Sequence, residues 1–147
     1  TLEKKELASK NGSFTRDYDP SLPLIEADED KLKQVFINLI QNAMEASPDF
    51  ENIRITTRIF SQINFKTSDH QRGQVLVEIN DQGPGISQEN QKRLFTPFFT
   101  TKKKGTGLGL VISLKIIEDH RGKIKIISRP GEGTKIQVFL PIHQNNE

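Results

Sequence analysis

The apolar residues change period along this 147-residue chain, and the order of the changes limits the folds open to it. Leu32, Val35, Phe36, Leu39, Ile40 and Ala43 recur at helical spacing. Asp28 stands before this stripe as an N-cap, and Pro48 stops it, because the residue before a proline resists helical geometry. Ile53, Ile55, Thr57 and Ile59 then alternate with other side chains, as do Val75, Val77 and Ile79, so 53–60 and 74–80 read as strands separated by a polar loop. A second helical stripe, Leu110, Val111, Leu114 and Ile117, runs from about Leu108 to His120 and ends at Gly122. Lys123–Ser128 and Lys135–Leu140 follow as strands joined through Pro130 to Gly133. Phe14–Tyr18 reads as an edge strand, and Ser87 as the cap of a short helix reaching about Leu94. Helices and strands mixed in this order predict an α+β domain, an α/β sandwich on a mixed sheet. The expected domain is 14–142, with a lead-in over 1–13 and a tail over 143–147.

Composition removes several function classes. With no cysteine, disulfides, thiolate metal sites and a cysteine nucleophile are excluded. No apolar run approaches the ~18 residues of a membrane helix. A formal net charge of +2 is too mild to argue for nucleic acid. His70, His120 and His143 lie far apart without metal-ligand spacing, and read as surface or helix-end residues.

What remains is a series of glycine clusters: Gly83-Pro-Gly85, Gly105-Thr-Gly107-Leu-Gly109, and Gly131-Glu-Gly133-Thr134. The middle one opens a helix, where backbone N–H groups and the helix dipole favour phosphate. It is not the dinucleotide fingerprint, because position 110 is leucine, and it is not a P-loop, because Gly122-Lys123 is followed by isoleucine. Asp81 ends a strand beside the first cluster. A carboxylate there can accept from an exocyclic amine, or close an Asx turn. Asn38 and Asn42 share one helix face and need partners, either a neighbouring loop or magnesium with phosphate. Lys102–Lys104 is a solvated loop or a phosphate clamp; Phe95, Phe98 and Phe99 pack at the loop's base or anchor a lid.

Asn38-x-x-x-Asn42-Ala, then Asp81-x-Gly-x-Gly85, a phenylalanine-rich segment, Gly107-Leu-Gly109-Leu110 and Gly131-x-Gly133-Thr134 resemble, in this order, the N, G1, F, G2 and G3 boxes of sensor histidine kinases. The resemblance implies a Bergerat-type fold, a sheet of about five strands covered on one face by about three helices, with a flexible ATP lid. It implies ATP and Mg²⁺ as cofactors. Asp81 would take the adenine amino group, assisted through water by Thr134, and Asn42 would be the magnesium ligand beside Asn38. Lys102 would reach the terminal phosphate, so Asn38, Asn42 and Lys102 would carry catalysis. Gly83, Gly85, Ile86, Phe98, Thr106, Gly107, Leu108, Gly109 and Leu110 would complete the ATP site.

Two positions, 45 and 46, depart from that pattern. Many family members have lysine and tyrosine where this chain has Glu45 and Ala46, and Glu45 cannot donate to phosphate. The related gyrase and Hsp90 ATPases carry a glutamate where this chain has Asn38. An amide cannot take a proton at neutral pH, which favours phosphoryl transfer over hydrolysis. None of the three histidines has the acceptor's flanking residues, so the implied acceptor lies in a separate upstream dimerisation and phosphoacceptor domain. Arg16–Pro23, Phe98–Lys102 and Lys115–His120 are similar to nitrogen-regulation sensor kinases, which implies an NtrC-type response regulator and a PII-type signalling partner in a bacterial cytoplasm, without nucleic acid or direct membrane contact. A serine-kinase (anti-sigma-like) or ATP-hydrolysing module is the alternative.

Overall fold

The computed structural model describes residues 14–47, 52–60, 73–99 and 107–142. The elements run β1 (Phe14–Tyr18), α1 (Glu29–Ala46), β2 (Ile53–Phe60), β3 (Gln74–Asp81), α2 (Gln88–Gln91), α3 (Gly109–Asp119), β4 (Lys123–Ser128) and β5 (Thr134–Pro141). They form one five-stranded sheet in the order β1-β2-β3-β5-β4. β1 runs parallel to β2, and every other pair is antiparallel.

Local chemistry sets the long helix. Asp28 caps it by accepting from the Lys31 N–H, Glu29 and Asp30 sit in its first turn where the dipole favours acids, and extended geometry at Ser47 ends it before the proline. Its stripe buries Val35, Leu39 and Ala43 against Ile53, Ile55, Ile79, Ile136, Val138 and Leu140 of the sheet and Ile116 and Ile117 of α3. Leu39 is fully buried, and trimming it to alanine would cost about 2–5 kcal/mol.

The central strand β3 is buried on both sides, which blurs its alternation. Val75 and Ile79 face the helices. Leu76 turns the other way, where Phe139 meets Phe60 edge-on at 5.4 Å and Lys125 lies over the same ring. Glu78, also on that side, is buried, takes the Gln137 amide at 3.1 Å and pairs with Lys135 at 3.5 Å.

Three expectations are corrected. α2 stops at Gln91 instead of Leu94, because the chain tightens into three-residue turns, Arg93 N–H to Asn90 O and Thr96 N–H to Arg93 O. The buried side of α3 is Ser113, Ile116 and Ile117, whereas Leu110, Val111 and Leu114 are only half-buried. Ile59 is 42% exposed, because β1 ends its pairing opposite Thr57 and leaves the rest of β2 uncovered on that flank. No helix among the described residues is long and apolar enough to cross a membrane.

Candidate functional site

One face of α1 links two of the glycine turns. Asn38, Asn42 and Ala46 are spaced four apart and lie along that face. At Asn38 the carboxamide Nδ2 donates to Ser113 Oγ at 3.0 Å, and Ser113 is only 2% exposed. The same carboxamide lies on Gly109, where a Cβ would come within 2.4 Å of Asn38 Oδ1. Only glycine lets α3 begin this close to the asparagine. Leu108 at the N-cap of α3 makes no side-chain cap, so the helix start offers its dipole and N–H groups without a capping side chain. Eight residues on, about 12 Å along the axis, the Ala46 carbonyl meets Gly83, whose Cβ would stand 2.4 Å from it.

Gly83 leads to Asp81. Asp81 is buried, accepts from the Gly83 N–H at 2.9 Å and from the Thr134 backbone N–H, and is pushed above the ordinary carboxylate pKa by burial, which the two N–H bonds oppose. Gly133 packs on the Asp81 carbonyl, and the Gly131 N–H donates to Pro84 O at 2.7 Å, so the first and third glycine clusters are fastened to each other. Gly85 lies close against the Arg129 carbonyl, where a Cβ would come within 2.0 Å of the oxygen. The Ile86 N–H donates to Ser128 Oγ at 2.8 Å. An open cleft of about 260 Å³ lies at this end, lined by Asp81, Ser128 and Thr134 together with Asn80, Arg129 and Lys135. No residue of α1 lines it.

The phenylalanine segment returns to the middle glycine cluster. The Phe98 N–H donates to Gly107 O at 3.1 Å, and Gly107 sits so close that a Cβ would be 2.3 Å from the Phe98 carbonyl carbon. Phe98 takes a left-handed φ of 66° and is 75% exposed, so core packing is not its role. The backbone bend that admits Gly107 turns the ring to solvent. Phe95 and Phe99 are half-buried, and the Arg93 guanidinium lies 4.7 Å over the Phe99 ring.

The structure brings Asn38 against Gly109 at the start of α3, beside Leu108 and Leu110, with Asn42 one turn further along α1; it gathers Asp81, Gly83, Gly85, Ile86 and Thr134 at the strand ends and sets Phe98 against Gly107. Lys102 and Thr106 lie outside the described residues. Sequence reasoning missed Ser113, Ser128 and Gln91. Only Ser113 carried a signal, as a polar residue inside an apolar stripe. Among the described residues no three His, Cys, Asp or Glu side chains gather as a metal site. The amide oxygens of Asn38 and Asn42 fit a hard cation such as Mg²⁺, which takes few protein ligands and shares phosphate oxygens.

Residues 27–144 match the family described as histidine kinase-, DNA gyrase B-, and HSP90-like ATPase. The chain is 44% identical over 137 residues to sporulation kinase E of Bacillus subtilis (strain 168), covering 93% of the chain and 17% of that protein. It is 39% identical over 145 residues to the sensory histidine kinase/phosphatase NtrB of Escherichia coli O157:H7, covering 98% of the chain and 41% of that protein. The chain thus spans less than half the length of these relatives. Among solved structures, the nucleotide-free catalytic domain of histidine kinase ThkA superposes with a TM-score of 0.76 at 36% identity, over 96% of this chain and 86% of that one.

Proposed function

The chain belongs to the histidine kinase-, DNA gyrase B- and HSP90-like ATPase family, and from that premise we propose that it binds Mg-ATP and passes the terminal phosphate to a histidine on a separate domain of a two-component sensor kinase. The observation that carries the reading is the contact of Asn38 with Gly109, which sets an amide-bearing helix face against a helix start whose N-cap residue, Leu108, makes no side-chain cap. In this reading phosphates lie at the start of α3, where N–H groups and the dipole favour them. Asn42, with Asn38 beside it, holds Mg²⁺, which supplies charge neutralisation to the phosphates. Asp81 and Thr134, about one helix-face length away, receive the base. Lys102 adds a cation at the terminal phosphate. Asn38 is an amide bonded to Ser113, with no capacity to take a proton from water at neutral pH, which supports transfer to a side chain over hydrolysis.

The proposal extends to the 14–142 domain boundary, an upstream dimerisation and phosphoacceptor domain, a cytoplasmic setting, and an NtrC-type response regulator with a PII-type partner. The stretches 16–23 and 115–120 support the nitrogen-type regulator. Phosphotransfer from the full kinase to an NtrC-type regulator, measured against a sporulation-type one, decides between the two groups of relatives.

The direct test is calorimetric titration with a non-hydrolysable ATP analogue, with and without Mg²⁺. Magnesium-dependent binding is expected, followed by phosphotransfer once an acceptor-histidine domain is supplied. Binding of neither ATP analogue nor Mg-analogue at millimolar concentration overturns the reading.

A further inference from the structure

Ser128 lies at the end of β4, outside every motif read from the sequence, yet its hydroxyl makes three short contacts. It accepts from the Ile86 N–H at 2.8 Å, lies 2.9 Å from the Gly133 carbonyl, and lies 2.8 Å from Thr134 Oγ1. A serine hydroxyl carries one proton. Gly133 O can only accept, so that proton goes to Gly133, and the Thr134 hydroxyl must donate to Ser128. The opposite assignment would leave two bare acceptor oxygens facing each other at 2.9 Å. Ser128 is itself held in place: Gln91 Nε2 donates to the Ser128 carbonyl at 2.8 Å and to the Ile86 carbonyl at 2.7 Å, which spends both amide protons.

The consequence falls on the ligand side of Thr134. With its proton turned inward, the threonine hydroxyl presents only lone pairs outward. Asp81 beside it presents carboxylate oxygens. Two acceptors, side by side in one cleft, match a base edge that offers amino N–H groups and oppose one that offers a carbonyl oxygen.

We propose that Ser128 is a positioning residue that fixes the polarity of Thr134 and thereby makes the site select a 6-amino over a 6-oxo purine nucleotide. This rests on the nucleotide reading of the site. Gln91 serves the same end at one remove, by locking the Ser128 backbone to the Ile86 turn.

The experiment compares dissociation constants for the imido analogues of ATP and ITP in this chain and in Ser128→Ala, Ser128→Thr, Thr134→Val and the Ser128→Ala/Thr134→Val double variant, with thermal melts to establish folding. The unsubstituted chain should prefer the ATP analogue. Ser128→Ala should narrow that preference about tenfold, the scale of one hydrogen bond, and Ser128→Thr, which keeps the hydroxyl, should retain it. In the Thr134→Val background Ser128→Ala should change the preference no further, since the residue acts through Thr134. An unchanged preference in Ser128→Ala, or an equal narrowing in the Thr134→Val background, overturns this inference and leaves the nucleotide site standing. Binding of neither analogue by the unsubstituted chain overturns the nucleotide reading and the inference with it.

Discussion

The backbone N–H of Asp28 donates to Nε2 of His120 at 3.0 Å, across 92 positions of sequence. The other ring nitrogen, Nδ1, lies 2.7 Å from the Ile116 carbonyl. Nε2 accepts, so Nδ1 carries the proton and donates to Ile116. The ring therefore ties the end of α3 to the residue that caps α1. The two helices carrying the candidate site are joined at two points, by this histidine and by the Asn38–Ser113 bond. Replacing His120 with phenylalanine keeps the volume and removes both bonds. The expected loss is roughly 1–3 kcal/mol of folding stability, read by urea denaturation, with nucleotide affinity at saturating fold little changed.

Asn38 and Ser113 should be energetically coupled. Each single alanine variant leaves a polar partner behind, buried Ser113 or half-buried Asn38, and the double variant leaves neither. A double-mutant cycle on urea stability should return a coupling of about 0.5–3 kcal/mol. A value at zero would mean that the 3.0 Å contact does not hold in solution.

Gly109→Ala separates function from folding. Alanine is the better helix former by about 1 kcal/mol, which offsets part of the crowding. The new methyl would fall 2.4 Å from Asn38 Oδ1 and must push the carboxamide off the start of α3. Stability should stay within about 1 kcal/mol of the parent, while affinity for the Mg-ATP analogue falls at least about tenfold. Calorimetry beside a thermal melt reads both.

These relations show where the sequence was readable. The cap at Asp28, the α1 stripe and the order of strands follow from neighbours within a few residues, and the structure has them as expected. Ser113, His120 and Ser128 owe their roles to partners brought in by the sheet order and the helix pairing. His120 was readable as a helix-end residue, but its bond to Asp28 depends on how α1 and α3 pack. Ile59 follows the alternation of a half-buried strand, yet it is 42% exposed, because exposure depends on how far β1 reaches, and β1 stops opposite Thr57. In the candidate site, the asparagines, Asp81 and the glycines stood out by type and spacing. The hydroxyls that orient them did not, because serine has many uses and none leaves a local pattern.

Asp81 gives a pH signature. Its carboxyl pKa is raised by burial from the ordinary 3.8, so the folded protein holds that proton more tightly than the unfolded chain. The stability that this proton contributes is then fully present below 3.8 and is lost as pH rises through the folded value. Asp81→Asn keeps an acceptor for the Gly83 and Thr134 N–H groups without the buried charge. The variant should be the more stable protein at neutral pH, and its advantage should close on acidification below 3.8. Asp81→Ala removes the charged acceptor altogether and should weaken binding of the ATP analogue roughly 10–150-fold, the value of a hydrogen bond to a charged group. Unchanged affinity would remove Asp81 from the base-binding role.

Two glycines of one turn should respond unequally to the same substitution. Gly131 and Gly133 both have left-handed backbones, at φ +80° and +77°. A Cβ on Gly131 meets nothing within 4 Å, whereas one on Gly133 would lie 2.2 Å from the Asp81 carbonyl oxygen. Gly131→Ala therefore carries only the backbone cost of about 1–2 kcal/mol. Gly133→Ala carries that cost plus about 1–3 kcal/mol of overpacking, and it must also move the strand end that holds Asp81. Urea denaturation of the pair reads the difference, and ATP-analogue affinity should fall in Gly133→Ala alone. Equal stability losses would mean that the third glycine cluster does not approach Asp81 as closely as described, and that both glycines are required only for the turn.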